Sequence, residues 1–515
     1  MMRQGHGEAT PFRLGVDSLT PQVLRKLAEE NKAPVVLEPG VLDQVVRGHR
    51  ALLVALEAGE AVYGANTAFG GDATEVLEGR RVEGLQLHLA RSLDAAVGDV
   101  LSPRVSRGAV IARSHVLARG GSAVSPEVLE ALVRLCRSGV APVFRASGSL
   151  GASGDLVTLA PLPRLLAGDP VPAWVGEDRV TGPEALAATE VDPSALAGSG
   201  LEPVFLSGRD SLALVNGLSG AAAVAALAWA DAWSLLQWAL QGIAATGWAL
   251  GIRRGAWAAD LNGPPLRLHP GQATAAASLR RVLEGSPAVA TPTNGPIQDP
   301  YSLRCAPQLL GPVLEGLEVA GAWLQGELDG VSDNPVLMGD PPGFRNGGNF
   351  FGGYVAAAAD LAAGALARLG DLLDRQGFLL VAGDRGLPRN LIVPGSADVQ
   401  GLKGVHQTAT AVAMELQRGA VPAAPFARSA EGHNQDVVSN AMAAALALSG
   451  QVERAATLVA AHTLMAARAV ELRGGFGEKL GDWVRQVDAM AEDRSGTVGY
   501  STALERLSRW CTTHP

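Results

Sequence analysis

The chain has 515 residues, 47% hydrophobic and 18% charged, with 51 acidic against 42 basic side chains and a net charge of -9. That length supports a substantial core, and a prior of ~150 residues per domain would allow about three units. The acidic balance leaves no broad basic surface for nucleic acid, and Cys136, Cys305 and Cys511 are odd in number, widely separated and outside metal-ligand spacing, so they read as reduced structural thiols of a cytoplasmic protein, with no metal.

Residues 1–14 carry charges and Pro11 but no apolar run of signal-peptide type, so secretion is not indicated. Helical spacing of Leu, Ala, Val and charged residues begins over 21–30 and 41–58 and returns over 126–138. Between the second and third of these lies Tyr63-Gly64-Ala65-Asn66-Thr67-Ala68-Phe69-Gly70, a Gly-containing loop that holds one of only four tyrosines. A tyrosine beside such a loop is ordinarily a packed aromatic with a solvated hydroxyl. Residues 85–93 follow, closing on Ser92-Leu93, which on a helix face would put Leu93 in the core.

Ala152-Ser153-Gly154 stands within Gly148-Ser149-Leu150-Gly151-Ala152-Ser153-Gly154-Asp155-Leu156. Side chains supply many nucleophiles but hardly any electrophile, so elimination of ammonia from an unactivated amino acid normally calls for a cofactor. This tripeptide offers one from the backbone. Attack of the Gly154 amide nitrogen on the Ala152 carbonyl carbon, with loss of water including the Ser153 hydroxyl, yields a methylidene-imidazolone (MIO) ring. Gly154 has no Cβ to obstruct the approach, Ala152 is small, and Ser153 carries the group that leaves. The same residues also read as a turn feeding a helix at Leu156, capped by Ser153 or Asp155. The spacing is wrong for a nucleophile elbow or a phosphate loop.

Residues 168–208, rich in Gly, Pro, Ala and acids, read as a surface excursion containing a small hairpin of Ala173-Trp174-Val175 with Arg179-Val180. Beyond it, 211–260, 304–329, 354–377, 401–418 and 439–467 read as five long helices, which pack as a bundle. The apolar run over 218–250 is interrupted by Asp231 and Gln237 and reads as a helix buried among helices, with no membrane span. The fold class expected is mainly α.

The Tyr63 and Ala-Ser-Gly segments keep company with Leu212-Ala213-Leu214-Val215-Asn216-Gly217, Gln298-Asp299-Pro300-Tyr301-Ser302-Leu303-Arg304-Cys305, Gly347-Gly348-Asn349-Phe350 and His433-Asn434-Gln435-Asp436. In this order they resemble the aromatic amino acid ammonia-lyase family, which comprises the histidine, phenylalanine and tyrosine ammonia-lyases and related aminomutases. The resemblance implies a long antiparallel helical bundle core with a smaller mixed N-terminal part. Residues 1–210 would carry the Tyr63 loop and the MIO segment, and 211–515 the long helices, in one interlocked catalytic unit. It implies a homotetramer with shared sites, and MIO formed autocatalytically with no external cofactor.

Roles follow from the same likeness. Tyr63 is the base that removes the β-proton, its phenolate favoured by neighbouring helix N-termini or cations. Arg304 suits a bidentate clamp on the substrate carboxylate. Asn216 and Gln298 orient the carboxylate and amino group, Tyr301 contacts the electrophile or relays a proton, and Phe350 lines the pocket. Gln435 stands where histidine ammonia-lyases carry glutamate, and Ser92-Leu93 resembles the pair that selects the side chain; both favour phenylalanine or a bulkier aromatic substrate over histidine. Gly401-Leu402-Lys403-Gly404 also resembles the phenylalanine branch. Departures from the family are Ala68 for glycine, Leu218 for threonine and Phe351 for histidine or glutamine. The expectation is deamination of an aromatic L-α-amino acid to the aryl acrylate. The alternatives are a 2,3-aminomutase, a histidine or tyrosine ammonia-lyase, and a non-catalytic helical scaffold.

Overall fold

The computed structural model describes residues 10–79, 82, 84–189, 200–289, 297–396, 399–491 and 499–514. Residues 1–9 of the N-terminal segment and 190–199 of the expected excursion lie outside them.

The described chain is mainly helical, as expected. Helices Pro21–Glu29, Pro39–Glu57 and Pro126–Ser138 each begin with proline, which loses nothing where the first-turn amides have no intrahelical partner. Thr20 caps the first by accepting from the Val23 amide at 3.2 Å. Gly139 ends the third at φ +69°, where a Cβ would lie 1.8 Å from the Asn31 carbonyl oxygen. The expected hairpin is present as Pro172–Val175 paired antiparallel with Asp178–Thr181, and Val140–Pro142 adds a third strand. The other sheets have two short strands each.

The chain divides into two compact units, each assembled from three separate stretches of sequence. The first comprises Met1–Leu227, Gly321–Ala359 and Pro422–Leu446. The second comprises Ala228–Ala320, Asp360–Val421 and Ala447–Pro515. In the second, indole N–H groups satisfy backbone carbonyls: Trp229 donates to Leu317 at 2.6 Å and Trp257 to Leu303 at 2.9 Å. His462, wholly buried beside Thr246 and Gln376, has its pKa pushed down to about 3 by burial.

Long helices cover Ser219–Ala249, Ala306–Asp329, Gly353–Val381, Lys403–Arg418 and Ala441–Arg473. The stretch Asp210–Ala249 and helix Ala441–Arg473 are long and apolar enough to cross a membrane, and 100% and 78% of their most apolar windows are buried in the protein itself.

The single helix expected over 211–260 is broken into Asp210–Val215 and Ser219–Ala249, separated at Asn216-Gly217-Leu218, followed by the short helical turns Arg254–Trp257 and Ala259–Asn262. Asn216 has φ -83° and ψ 73°, outside helical space. Side chains and loops from elsewhere take the backbone groups that a continuous helix would have paired. The wholly buried Arg113 donates from Nε to the Ala213 carbonyl at 2.8 Å and from an Nη to that of Asn216 at 3.4 Å. The Gly217 carbonyl accepts the Asp155 amide at 2.8 Å, and the Asp155 carboxylate accepts the Ala221 amide at 2.7 Å. The longer helix ends at Ala249, with Gly251 at φ +66°.

Candidate active site

Ala152-Ser153-Gly154 sits in a loop of the first unit whose backbone groups are pinned by distant segments. The Gly151 carbonyl accepts the Gly352 amide at 3.1 Å and the Ser439 hydroxyl at 2.8 Å, and the Gly154 amide donates to the Phe350 carbonyl at 3.1 Å. Gly154 lies at φ +69°, and a Cβ there would stand 2.3 Å from the Gly217 nitrogen, so no other residue fits. Asp155, expected as a possible cap of the helix at Leu156, makes no such bond. Its buried carboxylate accepts instead from Ala221 and, at 2.7 Å, from the Ser149 hydroxyl, tying the loop to the start of Ser219–Ala249. Burial raises its pKa to about 6.

The Tyr63 loop packs against the same region. Gln86, buried, donates to the Gly64 carbonyl at 2.9 Å while its oxygen accepts from the Ser211 amide at 3.0 Å, linking the loop to helix Asp210–Val215, which Asn216 follows. The Tyr63 hydroxyl accepts the Gly70 amide at 2.7 Å. Its environment runs against the phenolate that the likeness required. Burial is the largest influence and raises the pKa; Glu431 raises it too, while the Gly70 N–H and Arg209 oppose them.

Asn216 is oriented by a buried network. Its Nδ2 donates to Asp333 Oδ1 at 3.0 Å and to the Asn334 carbonyl at 2.9 Å, which uses both amide hydrogens. The side-chain oxygen is the group left to the cavity it lines, and an acceptor there suits an ammonium better than a carboxylate. Asp333 is wholly buried and paired with the equally buried Arg209 at 3.2 Å, so its charge is compensated.

A cavity of about 300 Å³ collects Tyr63, Ala152, Ser153, Gly154, Asn216 and Gln435 with an apolar wall that includes Phe69, Leu89, Leu93 and Val157. An adjoining one of about 290 Å³ repeats Tyr63, Ser153, Asn216 and Gln435 and adds Phe350 and Phe351. Gln435 Nε2 donates to the Ser153 hydroxyl at 3.2 Å. Nine of the twelve predicted residues thus share one unit, and eight of them line these cavities. The ninth, Ser92, is not among the lining residues; its hydroxyl turns back to the Leu89 carbonyl at 2.9 Å.

The remaining three, Gln298, Tyr301 and Arg304, belong to the second unit. Tyr301 is 69% exposed and Arg304 lies over its ring at 4.5 Å. Arg304 Nε donates to the Asp299 carbonyl at 3.0 Å, and Asp299 is itself anchored by Arg253 and Arg385 at 3.0 and 2.9 Å.

The aromatic amino acid lyase family matches residues 19–490. The chain belongs to the aromatic amino acid lyase family. It is 35% identical over 484 residues to a histidine ammonia-lyase of Symbiobacterium thermophilum, covering 93% of this chain and 92% of that one. It is 37% identical over 462 residues to a histidine ammonia-lyase of Aromatoleum aromaticum, covering 88% and 84%. Its fold matches that of the tyrosine aminomutase from Streptomyces globisporus with a TM-score of 0.88 at 27% identity, covering 98% and 97%.

Several residues of this aromatic amino acid lyase that line the cavity or hold its lining went unnoticed in the sequence. Leu89 extends the wall one helical turn before Leu93, a spacing that placed it on the same face. Glu431 stands four residues before Gln435 and lines the cavity beside Tyr63; its nearness to the His-Asn-Gln-Asp motif was the available signal. Asp333 carried none, because its pairing spans 117 residues to Asn216. Among the departures, Ala68 does not have a positive φ, so glycine is not required there. Leu218 is wholly buried, whereas Phe351 also lines a larger cavity of about 590 Å³ with Trp323, Glu327 and Tyr354. Burial pushes the Glu327 carboxyl up to about 7.

Proposed function

We propose that this chain eliminates ammonia from an aromatic L-α-amino acid, phenylalanine-like or bulkier, to give the aryl acrylate. The observation that carries the reading is the meeting of Ser153, Tyr63, Asn216 and Gln435 on one cavity with a leucine-lined wall. Tyr63 takes the β-proton, the Cα–Cβ double bond forms, and the amino group leaves as ammonia. The Asn216 oxygen accepts from the substrate ammonium, and Leu89 and Leu93 receive the ring. MIO, formed from Ala152-Ser153-Gly154, supplies the electrophile that makes the amino group a leaving group. The residues fit that group: Gly154 is held at φ +69° against Gly217, with no room for a side chain.

The active form in this reading is a homotetramer in which Gln298, Tyr301 and Arg304 come from neighbouring copies. With its Nε engaged by Asp299, Arg304 presents its Nη groups to the substrate carboxylate.

Histidine is the second reading for the substrate, favoured by the names of the two relatives above. Against it, Gln435 is a neutral amide and the wall is apolar. A 2,3-aminomutase, which returns the amine to the β-carbon, draws support from the fold likeness to a tyrosine aminomutase. Incubation with phenylalanine, tryptophan, tyrosine and histidine, with acrylate absorbance and chromatography for β-isomers, separates these. Acrylate from phenylalanine or tryptophan ahead of histidine is expected. Preference for histidine overturns the substrate assignment, predominance of β-isomers makes the protein a mutase, and absence of any product counts against all three.

Intact mass tests the tripeptide independently. The purified protein is expected to weigh two waters less than its sequence. Gly154→Ala, whose Cβ meets Gly217, is expected to retain the full mass and lose activity; a matured mass in that variant would show that the close approach is not required.

A further inference from the structure

We propose that Glu431 is a positioning residue that latches the Tyr63 loop, so that the turn 430–435 sets the separation between Tyr63 and Ser153. This rests on the reading of Tyr63 as base.

Two successive amides of the loop are divided between the two sides. The Gly70 N–H goes to the Tyr63 hydroxyl at 2.7 Å, and the Gly71 N–H goes to Glu431 Oε1 at 3.2 Å, across 360 residues of sequence. The other carboxylate oxygen accepts Asn434 Nδ2 at 3.0 Å, which aims the group. The fit at Gly70 is close: it lies at φ +59°, and a Cβ there would be 1.4 Å from Glu431 Oε1. The Gly70 position therefore admits the carboxylate only because it is glycine.

The turn bearing Glu431 is conformationally specified. Glu431, Gly432 and His433 have φ of +49°, +58° and +70°, a region that non-glycine residues occupy when their surroundings enforce it. Ala430 and Gln435 close the turn by exchanging backbone bonds of 3.0 and 3.3 Å. Gln435 reaches the Ser153 hydroxyl at 3.2 Å in the chain before dehydration, and Ser439, four residues on, holds the Gly151 carbonyl at 2.8 Å, a bond that ring formation leaves intact. The turn and the residues that follow it to Ser439 thus hold the segment that carries the electrophile at one end and the loop that carries the base at the other. General-base transfer requires hydrogen-bond reach to the proton being taken, so a loop released from this turn loses turnover even with Tyr63 intact.

The latch depends on reach more than on charge, and this makes it separable from a carboxylate that merely attracts the substrate ammonium. Amide hydrogen exchange over 64–77 in the whole protein, followed by kcat and KM, tests it with Glu431→Ala, Glu431→Asp and Glu431→Gln. Glu431→Ala is expected to exchange about tenfold faster in this segment, as loss of one bond to a charged acceptor implies, with lower kcat and little change in KM. Glu431→Asp keeps the charge but is one methylene too short for Gly71, and is expected to behave like the alanine variant, which keeps the test open should that one not fold. Glu431→Gln retains an oxygen for Gly71 and is expected to restore native exchange and recover kcat relative to alanine. Native exchange in Glu431→Ala and Glu431→Asp, or a raised KM with native exchange in all three, overturns the latch. Exchange is read without substrate, so failure of the latch is distinguishable from failure of the proposed reaction.

Discussion

Ser153→Ala is expected to fold and assemble normally while losing roughly 10³-fold or more of its turnover, the scale on which removal of a principal electrostatic element acts. Alanine has no hydroxyl to leave, so the methylidene carbon cannot form, yet every feature that shapes the loop remains. The uncyclised Gly154 amide still donates to Phe350 as before maturation, Asp155 keeps Ala221, and Gly151 keeps Gly352 and Ser439. Relative to the chain before dehydration, the interaction removed is the 3.2 Å bond from Gln435 to the Ser153 hydroxyl, at a partly buried position. A neutral bond of that kind contributes about 1 kcal/mol net, too little to unfold a domain. Turnover, intact mass and thermal unfolding together decide the matter: a stable protein of unmodified mass and low activity is expected. Full activity in that variant would place the electrophile elsewhere.

Tyr63→Phe has the second largest expected effect, a loss of about 10²–10⁴ in kcat, as for removal of a positioned general base. The ring remains, edge-on to Phe69 at 6.5 Å, and the tripeptide is untouched, so the variant should lose the same two waters from its own sequence mass as the parent does. The parent's pH dependence carries the sign. Burial, the largest influence, raises the Tyr63 pKa above its ordinary value, with Glu431 adding to it and the Gly70 N–H and Arg209 opposing. A higher pKa means a smaller phenolate fraction at neutral pH, so kcat is expected to climb as pH rises into the alkaline range. In Tyr63→Phe that limb disappears along with the activity. Turnover retained by the variant would move the base to another residue.

The parts of the site legible in the sequence are those whose chemistry is local. The proposed cyclisation joins residues two apart, so Ala152-Ser153-Gly154 stands out as a candidate without knowing the fold. Helices over 21–30 and 126–138 followed from the spacing of their residues because short-range hydrogen bonds satisfy them internally. The helix expected over 211–260 was misread for the opposite reason. Asn216-Gly217 could equally have been turn punctuation, and it is Arg113 and Asp155, distant in sequence, that take up the backbone groups there. Asp155 looked like a local cap and instead serves a helix that begins more than sixty residues later.

The sequence by itself determined which groups this aromatic amino acid lyase possesses: an Ala-Ser-Gly tripeptide, a loop tyrosine, an arginine fork and a neutral glutamine. Tertiary structure alone decided which atoms of those groups remain free to act. Asn216 offers its oxygen because Asp333 and Asn334 consume its hydrogens, Ser92 faces away while Leu89 and Leu93 form the wall, and Glu431 meets the tyrosine loop across most of the chain. The reason is physical. Bond-forming capacity belongs to a residue type, but its expenditure depends on partners that only folding brings within about 3 Å.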